Sequence, residues 1–303
     1  MSESKYKRWM VGLDFSDIDP KVINRVSHLS RILKPDVINF VHVEKELDIP
    51  IYIPKELTNL VPTASEQYAE KMEEIVSKNF DNLDVTWHAK VVGGKTFDTL
   101  IKWVKDENID FFIAGRKRYR EGSGLLPHKL LRSLACPALF IPDMKMPGTK
   151  KILVAVDFSN HSLIALRTAL KLAESGEISV DCLHIYSVPI GHYSTGKTYK
   201  EFVEIMRVNA MKEFQRFTKS LDPKPNLKCL ILDKTSAAEL IYDECKDGNY
   251  DLVIMGSKGQ SAGSVMLLGS TAEKLIRMNR KCMSWIVKMK DEHIGFFKAL
   301  SKI

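Results

Sequence analysis

The chain carries one sequence pattern twice, and this duplication constrains its fold more than any other feature. The stretch KRWMVGLDFSD, residues 7–17, matches KKILVAVDFSN, residues 150–160: each has a basic start, a short apolar run and then Asp-Phe-Ser. Further along, IDFFIAG at 109–115 matches YDLVIMG at 250–256, and ACPALFIP matches KCMSWIVK. The three matches are offset by 143, 141 and 146 residues. A near-constant offset over separated landmarks predicts a duplicated domain of about 145 residues.

The duplication divides the chain into two domains. We expect the first to span residues 1–142 and the second residues 150–290, with the Pro-Gly and charged residues between them as a linker. A tail, residues 291–303, follows the second copy, and its apolar residues recur three apart, as on one stripe of an amphipathic helix. A chain of 303 residues, 45% of them hydrophobic, is long enough to form two such cores.

Within each copy, short apolar runs alternate with segments of helical period. The predicted strands are 8–13, 36–43, 84–92, 109–114 and 137–141 in the first copy and 151–156, 178–186, 226–232, 250–255 and 283–288 in the second. The predicted helices of the first copy, repeated in the second, are 18–33, 65–79, 96–107 and 126–134. Apolar strands separated by helices predict a parallel sheet covered on both faces. We therefore expect an α/β fold of two tandem open doubly wound domains, each with a five-stranded parallel sheet of the Rossmann-like kind. Such sheets bind ligands beyond the strand carboxyl ends, where the strand order reverses.

The composition points to a cytoplasmic protein. No apolar run approaches the roughly 20 residues that span a bilayer, and the start MSESKYKRWMVGLDFS has no apolar signal region. The five cysteines, which lack Cys-x-x-Cys spacing, are interpreted as buried reduced thiols. The net charge of +7 comes from 45 basic and 38 acidic residues that are scattered along the chain, so neither nucleic acid nor a membrane is expected as a partner.

A glycine-rich loop follows the fourth strand of the second copy. The segment MGSKGQSAGSVMLLGS, residues 255–270, supplies Gly256, Gly259 and Gly269, and a helical pattern begins at Ser270. Glycine lets the backbone approach an oxygen-rich ligand closely, and the free N–H groups of a helix start favour an anion. A strand, a glycine loop and a helix in this order therefore indicate a phosphate site. Alternatively, the sequence STAE that follows fits a capping box, in which Ser270 only caps its helix.

The two open α/β domains, the VAVDFS start, the Gly-x2-Gly-x9-Gly-Ser loop and the closing cysteine strand together resemble the universal stress protein (UspA-like) family. The resemblance covers nearly the whole chain, as a tandem two-domain member. It implies an adenine nucleotide alpha hydrolase-like fold and a site for ATP, ADP or AMP in the second copy, with Mg²⁺ as an optional companion. The residues that the resemblance assigns to this site are Asp157, Ile185, Gly256, Gly259, Gly269, Ser270 and Thr271. By this resemblance, Asp157 and the backbone of Ile185 would hold the adenosine end. Gly256 and Gly259 would line the ribose and phosphates. The phosphates would be bound by Gly269, Ser270 and Thr271.

The first copy departs from this pattern. Gly115 is kept, but Arg118 stands where the second glycine belongs, and Leu125 stands where a serine or threonine is expected. Eight residues separate Gly115 from Gly124, against twelve between the equivalent glycines of the second copy. We therefore expect no ATP site of the family's kind in the first copy. We interpret the cations of its loop as exposed side chains without a partner: Arg116, Lys117, Arg118 and Arg120. Alternatively, these cations could form a site for another anion.

The sequence contains no well-placed Ser-His-Asp arrangement, no metal-ligand cluster and no carboxylate pair in the glycine loop, so no catalytic or metal-binding residue is assigned. His42 and His184 occupy matching strand positions and are interpreted as structural. The prediction is a nucleotide-dependent binding or regulatory module in the stress response, with an unknown protein partner, rather than an enzyme. Two alternatives stay open: a slow ATPase or nucleotide-dependent transferase, and a nucleotide-free interaction scaffold. By the same resemblance, the two copies would pack as an intramolecular pseudo-dimer through their closing strands, with a homodimer of the whole chain left open.

Overall fold

The structure is a computed structural model of the 303-residue chain, and it describes residues 6–44, 61–117, 125–144, 148–174, 176–259 and 268–289. The chain divides into two compact units, Met1–Lys145 and Met146–Ile303. The expected tail, residues 291–303, lies outside the described residues. The packing of the two copies through their closing strands stays a prediction.

The first unit alternates strands with helices throughout its described residues. Its elements are β1 Arg8–Leu13, α1 Asp19–Leu33, β2 Val37–Glu44, α2 Val61–Phe80, β3 Thr86–Gly93, α3 Thr96–Asp106, β4 Phe111–Arg116, α4 Leu125–Ser133 and β5 Ala138–Pro142. The five strands are hydrogen-bonded in the order β3-β2-β1-β4-β5, and every pair is parallel. The chain winds from β1 to one edge and then returns to β4, so the strand order reverses between β1 and β4. A ligand crevice is expected there, at the carboxyl ends of these two strands.

The second unit repeats this winding. Its elements are β6 Lys151–Ala155, α5 Asn160–Ala173, β7 Ser179–Tyr186, α6 Tyr199–Phe217, β8 Asn226–Ile231, α7 Ala237–Asp247, β9 Leu252–Gly256, α8 Ser270–Met278 and β10 Met283–Val287. The strand order is β8-β7-β6-β9-β10, again with parallel pairs. The equivalent crevice therefore lies at the carboxyl ends of β6 and β9.

A duplicated aspartate ties the strands together at the opposite, amino ends. The carboxylate of Asp110, just before β4, accepts hydrogen bonds from the backbone N–H groups of Lys7 and Arg8 at 2.9 and 3.0 Å. Asp251, just before β9, accepts the equivalent bonds from residues 150–151 at 2.8 and 3.0 Å. Each aspartate thus fixes the register between the two central strands of its own sheet.

The predicted fold is confirmed. The predicted strands differ from the observed ones by at most two residues at either end, and α2 begins four residues before its predicted start. All five cysteines are free thiols, four of them buried and Cys229 half-buried. Among the described residues, no helix combines the length and the apolar character that crossing a bilayer requires.

Candidate functional site

The second unit places Asp157 in a sharp turn at the carboxyl end of β6, in the crevice where the strand order reverses. Phe158 has a left-handed backbone conformation, with φ of 64°, and so the chain can turn directly from the strand into α5. Ser159 then caps α5, because its Oγ accepts a hydrogen bond from the backbone N–H of Ser162 at 3.2 Å. The turn holds the half-buried Asp157 beside the end of the sheet.

A histidine and a phenylalanine brace this turn in both copies. His184 Nδ1 lies 2.9 Å from the carbonyl oxygen of Val156, and since a carbonyl only accepts, Nδ1 is the protonated nitrogen. The ring stacks on Phe158 with centroids 4.4 Å apart. Burial lowers the pKa of His184, against the raising effects of the Val156 carbonyl and the Asp157 charge, so the ring is neutral near pH 7. His42 makes the equivalent bond at 3.0 Å, so each histidine connects its strand to the turn that follows the first strand of its unit.

The carboxylate of Asp157 is oriented by its own turn. Its Oδ1 accepts hydrogen bonds from the backbone N–H and the Oγ of Ser159, at 3.1 and 2.6 Å. Its Oδ2 faces the glycine loop, where a Cβ added to Gly259 would lie only 2.9 Å away. A side chain at position 259 would therefore force the loop or the Asp157 carboxylate to shift, whereas the backbone conformation itself does not call for glycine. The close approach brings Asp157 and the loop into one crevice, as the sequence predicts.

The described ends of the glycine loop meet beside this carboxylate. The N–H of Gly269 donates to the carbonyl oxygen of Ser257 at 2.6 Å. A Cβ added to Gly269 would lie 3.3 Å from that oxygen and 3.8 Å from the backbone nitrogen of Gly259. A side chain at either glycine would therefore crowd neighbouring atoms of the loop or of Asp157.

Gly256 has a structural reason to lack a side chain. A Cβ at this position would lie 2.6 Å from the Cβ of His161 on α5. Its counterpart Gly115 is equally confined, with a Cβ expected 2.9 Å from a methyl group of Ile18. Close packing of a helix on a strand end explains both glycines, so the presence of Gly115 in the first copy does not indicate a ligand site. The role of Gly256 toward a ligand stays a prediction.

Helix α8 begins directly after the loop without a side-chain cap. Its N-cap is Gly269 and its first helical residue is the exposed Ser270. The capping-box interpretation of STAE is therefore wrong, because the capping position falls one residue earlier, on a glycine. The other three α-helices described in this unit are capped by Ser159, Thr198 and Ser236. The N–H groups in the first turn of α8 thus have no side-chain acceptor from the N-cap.

The remaining predicted residues lie at the same edge of the sheet. Thr271 is half-buried in the first turn of α8. Ile185, also half-buried, lies near the carboxyl end of β7, two residues beyond the last paired residues of β6 and β7, Ala155 and Leu183. The structure therefore places all the predicted binding residues at the carboxyl edge of one sheet, and their roles toward a nucleotide stay predictions.

The equivalent edge of the first unit carries two of the predicted loop cations. Lys117 Nζ forms an ion pair with Asp14 Oδ2 at 2.6 Å, and Asp14 is the counterpart of Asp157. Arg116 ends β4 and is only 5% exposed. The interpretation of these two cations as exposed and without a partner is wrong, because one is paired and the other is buried. The remaining predicted residues of this loop lie outside the described residues: Arg118, Arg120 and Gly124.

Sequence reasoning missed the residues that shape the turn, namely Phe158, Ser159 and His161. A signal was available, because Asp-Phe-Ser and a strand histidine recur together in both copies. A repeated aromatic residue beside a repeated histidine is a sign of contact between them. In the part of the chain that the structure describes, no group of three or more His, Cys, Asp or Glu side chains is placed to hold a metal ion.

The chain resembles known proteins in sequence and in fold. The universal stress protein family matches residues 148–288. The chain is 28% identical over 137 residues to universal stress protein YxiE of Bacillus subtilis, covering 43% of this chain and 93% of that protein. It is 27% identical over 144 residues to universal stress protein MJ0531 of Methanocaldococcus jannaschii, covering 46% and 82%. The crystal structure of a universal stress protein from Archaeoglobus fulgidus matches 94% of this chain and 97% of its own, with a TM-score of 0.61 and 17% identity, which shows the fold.

Proposed function

Because the chain belongs to the universal stress protein family, we propose that its second unit binds ATP, ADP or AMP in the crevice at the carboxyl ends of β6 and β9. Membership of the family supports a role in the response to stress. In this proposal the nucleotide sets the conformation of the unit or its choice of partner and is not consumed rapidly.

The observation that carries the proposal is the start of α8. The first hydrogen bond within this helix runs from Glu273 N to Gly269 O at 3.0 Å. The N–H groups of residues 270–272 therefore lie before the first hydrogen bond of the helix. The N-cap glycine supplies no acceptor for them, whereas the other helices described in the unit have a side-chain cap. A phosphate group supplies both the acceptor oxygens and the negative charge that such a helix end favours.

The surrounding residues fit the rest of a nucleotide. Gly259 is exposed and Gly269 is half-buried, and backbone without a side chain suits close contact with phosphate oxygens. The Ser270 hydroxyl, which does not cap the helix, can donate to a phosphate. Asp157 would accept a hydrogen bond from a ribose hydroxyl, and the half-buried Ile185 would flank the adenosine. A Mg²⁺ ion bound with ATP would offset the phosphate charge.

The proposal includes a setting and partners. We place the protein in the cytoplasm, in keeping with its five free thiols. A protein partner would respond to the nucleotide state of the second unit, and homodimerisation belongs to the same proposal. A slow ATPase would use this same crevice, whereas a scaffold would not bind nucleotide at all, so nucleotide binding and turnover separate these alternatives.

The proposal is tested by identifying what the purified protein carries. Mass spectrometry after gentle denaturation should show an adenine nucleotide, and the stripped protein should rebind ATP. If no nucleotide co-purifies and millimolar ATP does not bind, the proposal is wrong and the scaffold is favoured. Sustained phosphate release from ATP that disappears in Gly259→Val would instead favour the ATPase.

A further inference from the structure

The first unit contains a cavity of about 680 Å³ at the carboxyl ends of β1, β2 and β4, next to α3 and α4. Cavities that bind small organic molecules typically measure roughly 300–1,000 Å³. Most of the wall is apolar and buried, with the side chains of Leu13, Ile18, Val41, Leu100 and Phe140 among its members. The cavity occupies the crevice of the first unit, the copy in which no nucleotide site is expected.

Two of the residues that line this space differ in size from their counterparts in the second copy. Gly12 of β1 pairs in register with Ala114 of β4, and both line the cavity. The equivalent register pair of the second unit is Ala155 and Met255, whose side chains are larger. A Cβ added to Gly12 would meet only ordinary contacts, the nearest being Phe112 Cζ at 3.7 Å. Two small residues in register thus line the cavity, where the second copy carries an alanine and a methionine.

The helix beside the cavity is unsuited to phosphate. Where α8 begins with serine and threonine, α4 begins Leu125-Leu126-Pro127. Pro127 has no N–H to donate, and Leu126 and Pro127 both line the cavity. The features that suit an anion in the second unit are therefore replaced by apolar groups in the first.

Three of the polar residues in the lining are acidic. The lining includes Asp14, Asp19 and Glu44 together with His42, Tyr68 and Thr96, and among the described residues that line the cavity there is neither a lysine nor an arginine. Lys117, outside the lining, compensates Asp14 through their ion pair of 2.6 Å. Asp19 is only 4% exposed and accepts a hydrogen bond from the backbone of Asp14 at 3.0 Å. The wall therefore holds more negative than positive charge.

From the apolar cavity and its acidic wall, we propose that the first unit binds an amphiphilic amine, with the apolar body in the cavity and the protonated amine against the carboxylates. A carboxylate or phosphate head would be repelled by the same groups. The hydrocarbon body would be buried among side chains that are themselves inaccessible to water. This site is independent of the nucleotide crevice in the second unit.

The head group is tested on the full-length protein by calorimetry with decylamine, decanoate and 1-decanol, each below its aggregation concentration. We expect decylamine to bind one site per chain, at least tenfold more tightly than either of the other two. If decanoate binds as tightly as decylamine, the wall does not select a cation. If 1-decanol binds as tightly as decylamine, the charge of the head group does not contribute to binding. Either result overturns the assignment of an amine.

The location is tested with Ala114→Met, which introduces the residue that the second copy carries at the same register. We expect at least a tenfold loss of decylamine affinity, with Ala173→Met as a matched control at a half-buried position outside the cavity. If Ala114→Met does not fold, Gly12→Ala takes its place. Glu44→Gln should weaken decylamine and leave 1-decanol unchanged. Equal decylamine binding by wild type and a folded cavity variant would overturn the site.

Discussion

At the scale of single residues, Gly259 and Asp157 depend on each other. An alanine methyl group at position 259 would lie 2.9 Å from Asp157 Oδ2, a separation that forces either the loop or the carboxylate to move. Gly93 provides a contrast, because a Cβ there would meet nothing within 4 Å. The two glycines therefore separate the effect of a crowded site from the general effect of replacing glycine.

Gly259→Ala should weaken ATP binding at least tenfold while the protein stays folded. The added methyl group displaces one side of the crevice, and the cost of about 1–3 kcal/mol for such overpacking falls on the binding geometry. Calorimetry with ATP and a thermal melt measure the two effects, and Gly93→Ala is the control that should change neither. Unchanged affinity in a folded Gly259→Ala protein would remove the loop from the site.

Two further variants separate the adenosine end from the phosphate end. Asp157→Asn keeps an acceptor for Ser159 but removes the charge, so it should weaken ATP, ADP and AMP by similar factors. Ser270→Ala removes a hydroxyl from the phosphate end and should weaken ATP most, by the tenfold or more that corresponds to about 1.5–3 kcal/mol. Titrations of all three nucleotides against both variants measure this. The reverse pattern would mean that the nucleotide lies the other way round.

Asp19 gives the first unit a pH dependence. Burial, followed by the charge of Asp14, raises the pKa of Asp19 from 3.8 to about 6. Between these values the folded state holds a proton that the unfolded state releases, so the free energy of unfolding falls as the pH rises from about 4 to 6, by up to about 3 kcal/mol. Asp19→Asn should lack this fall, so its free energy of unfolding should rise relative to that of the wild type as the pH increases from about 4 to 6. Urea unfolding at pH 4 and 7 measures it, with Asp84→Asn at an exposed position as control. A stability difference that does not change with pH would contradict the assignment.

At the scale of elements, the start of α8 shows what a sequence pattern can and cannot specify. The apolar period predicted the helix, but STAE placed its cap one residue too late, since helix ends are uncertain by one or two residues. The strands were predictable because buried parallel strands are continuous apolar runs. The Lys117–Asp14 pair was not predictable, because it depends on the path of a loop that no periodicity determines. The cavity depends on the register of Gly12 against Ala114, which also requires the structure.

Gly269→Asp tests the missing cap of α8 directly. The N-cap residue has φ of −74° and ψ of 145°, which any residue can adopt, so the carboxylate can cap the helix itself. We expect ATP affinity to fall sharply, because the carboxylate replaces the phosphate and repels it, and because the added Cβ would lie 3.3 Å from the carbonyl oxygen of Ser257. Gly269→Asn, a neutral cap, should weaken ATP less. Equal affinities for wild type and Gly269→Asp would show that phosphate does not bind this helix end.

At the scale of the whole molecule, the same winding occurs in each unit with different chemistry at the strand ends. The second unit combines glycines, hydroxyl groups and a helix start without a side-chain cap. The first has a largely apolar cavity whose lining includes three acidic residues. A duplicated fold therefore does not imply a duplicated site, and the two units are expected to differ in what they bind.

The number of nucleotides bound per chain tests this account most directly. Calorimetric titration of the nucleotide-stripped full-length protein with ATP should give a stoichiometry near one, and Gly259→Val should give no binding. A stoichiometry near two, or one site that persists in folded Gly259→Val, would show that the first unit binds nucleotide and would contradict the account.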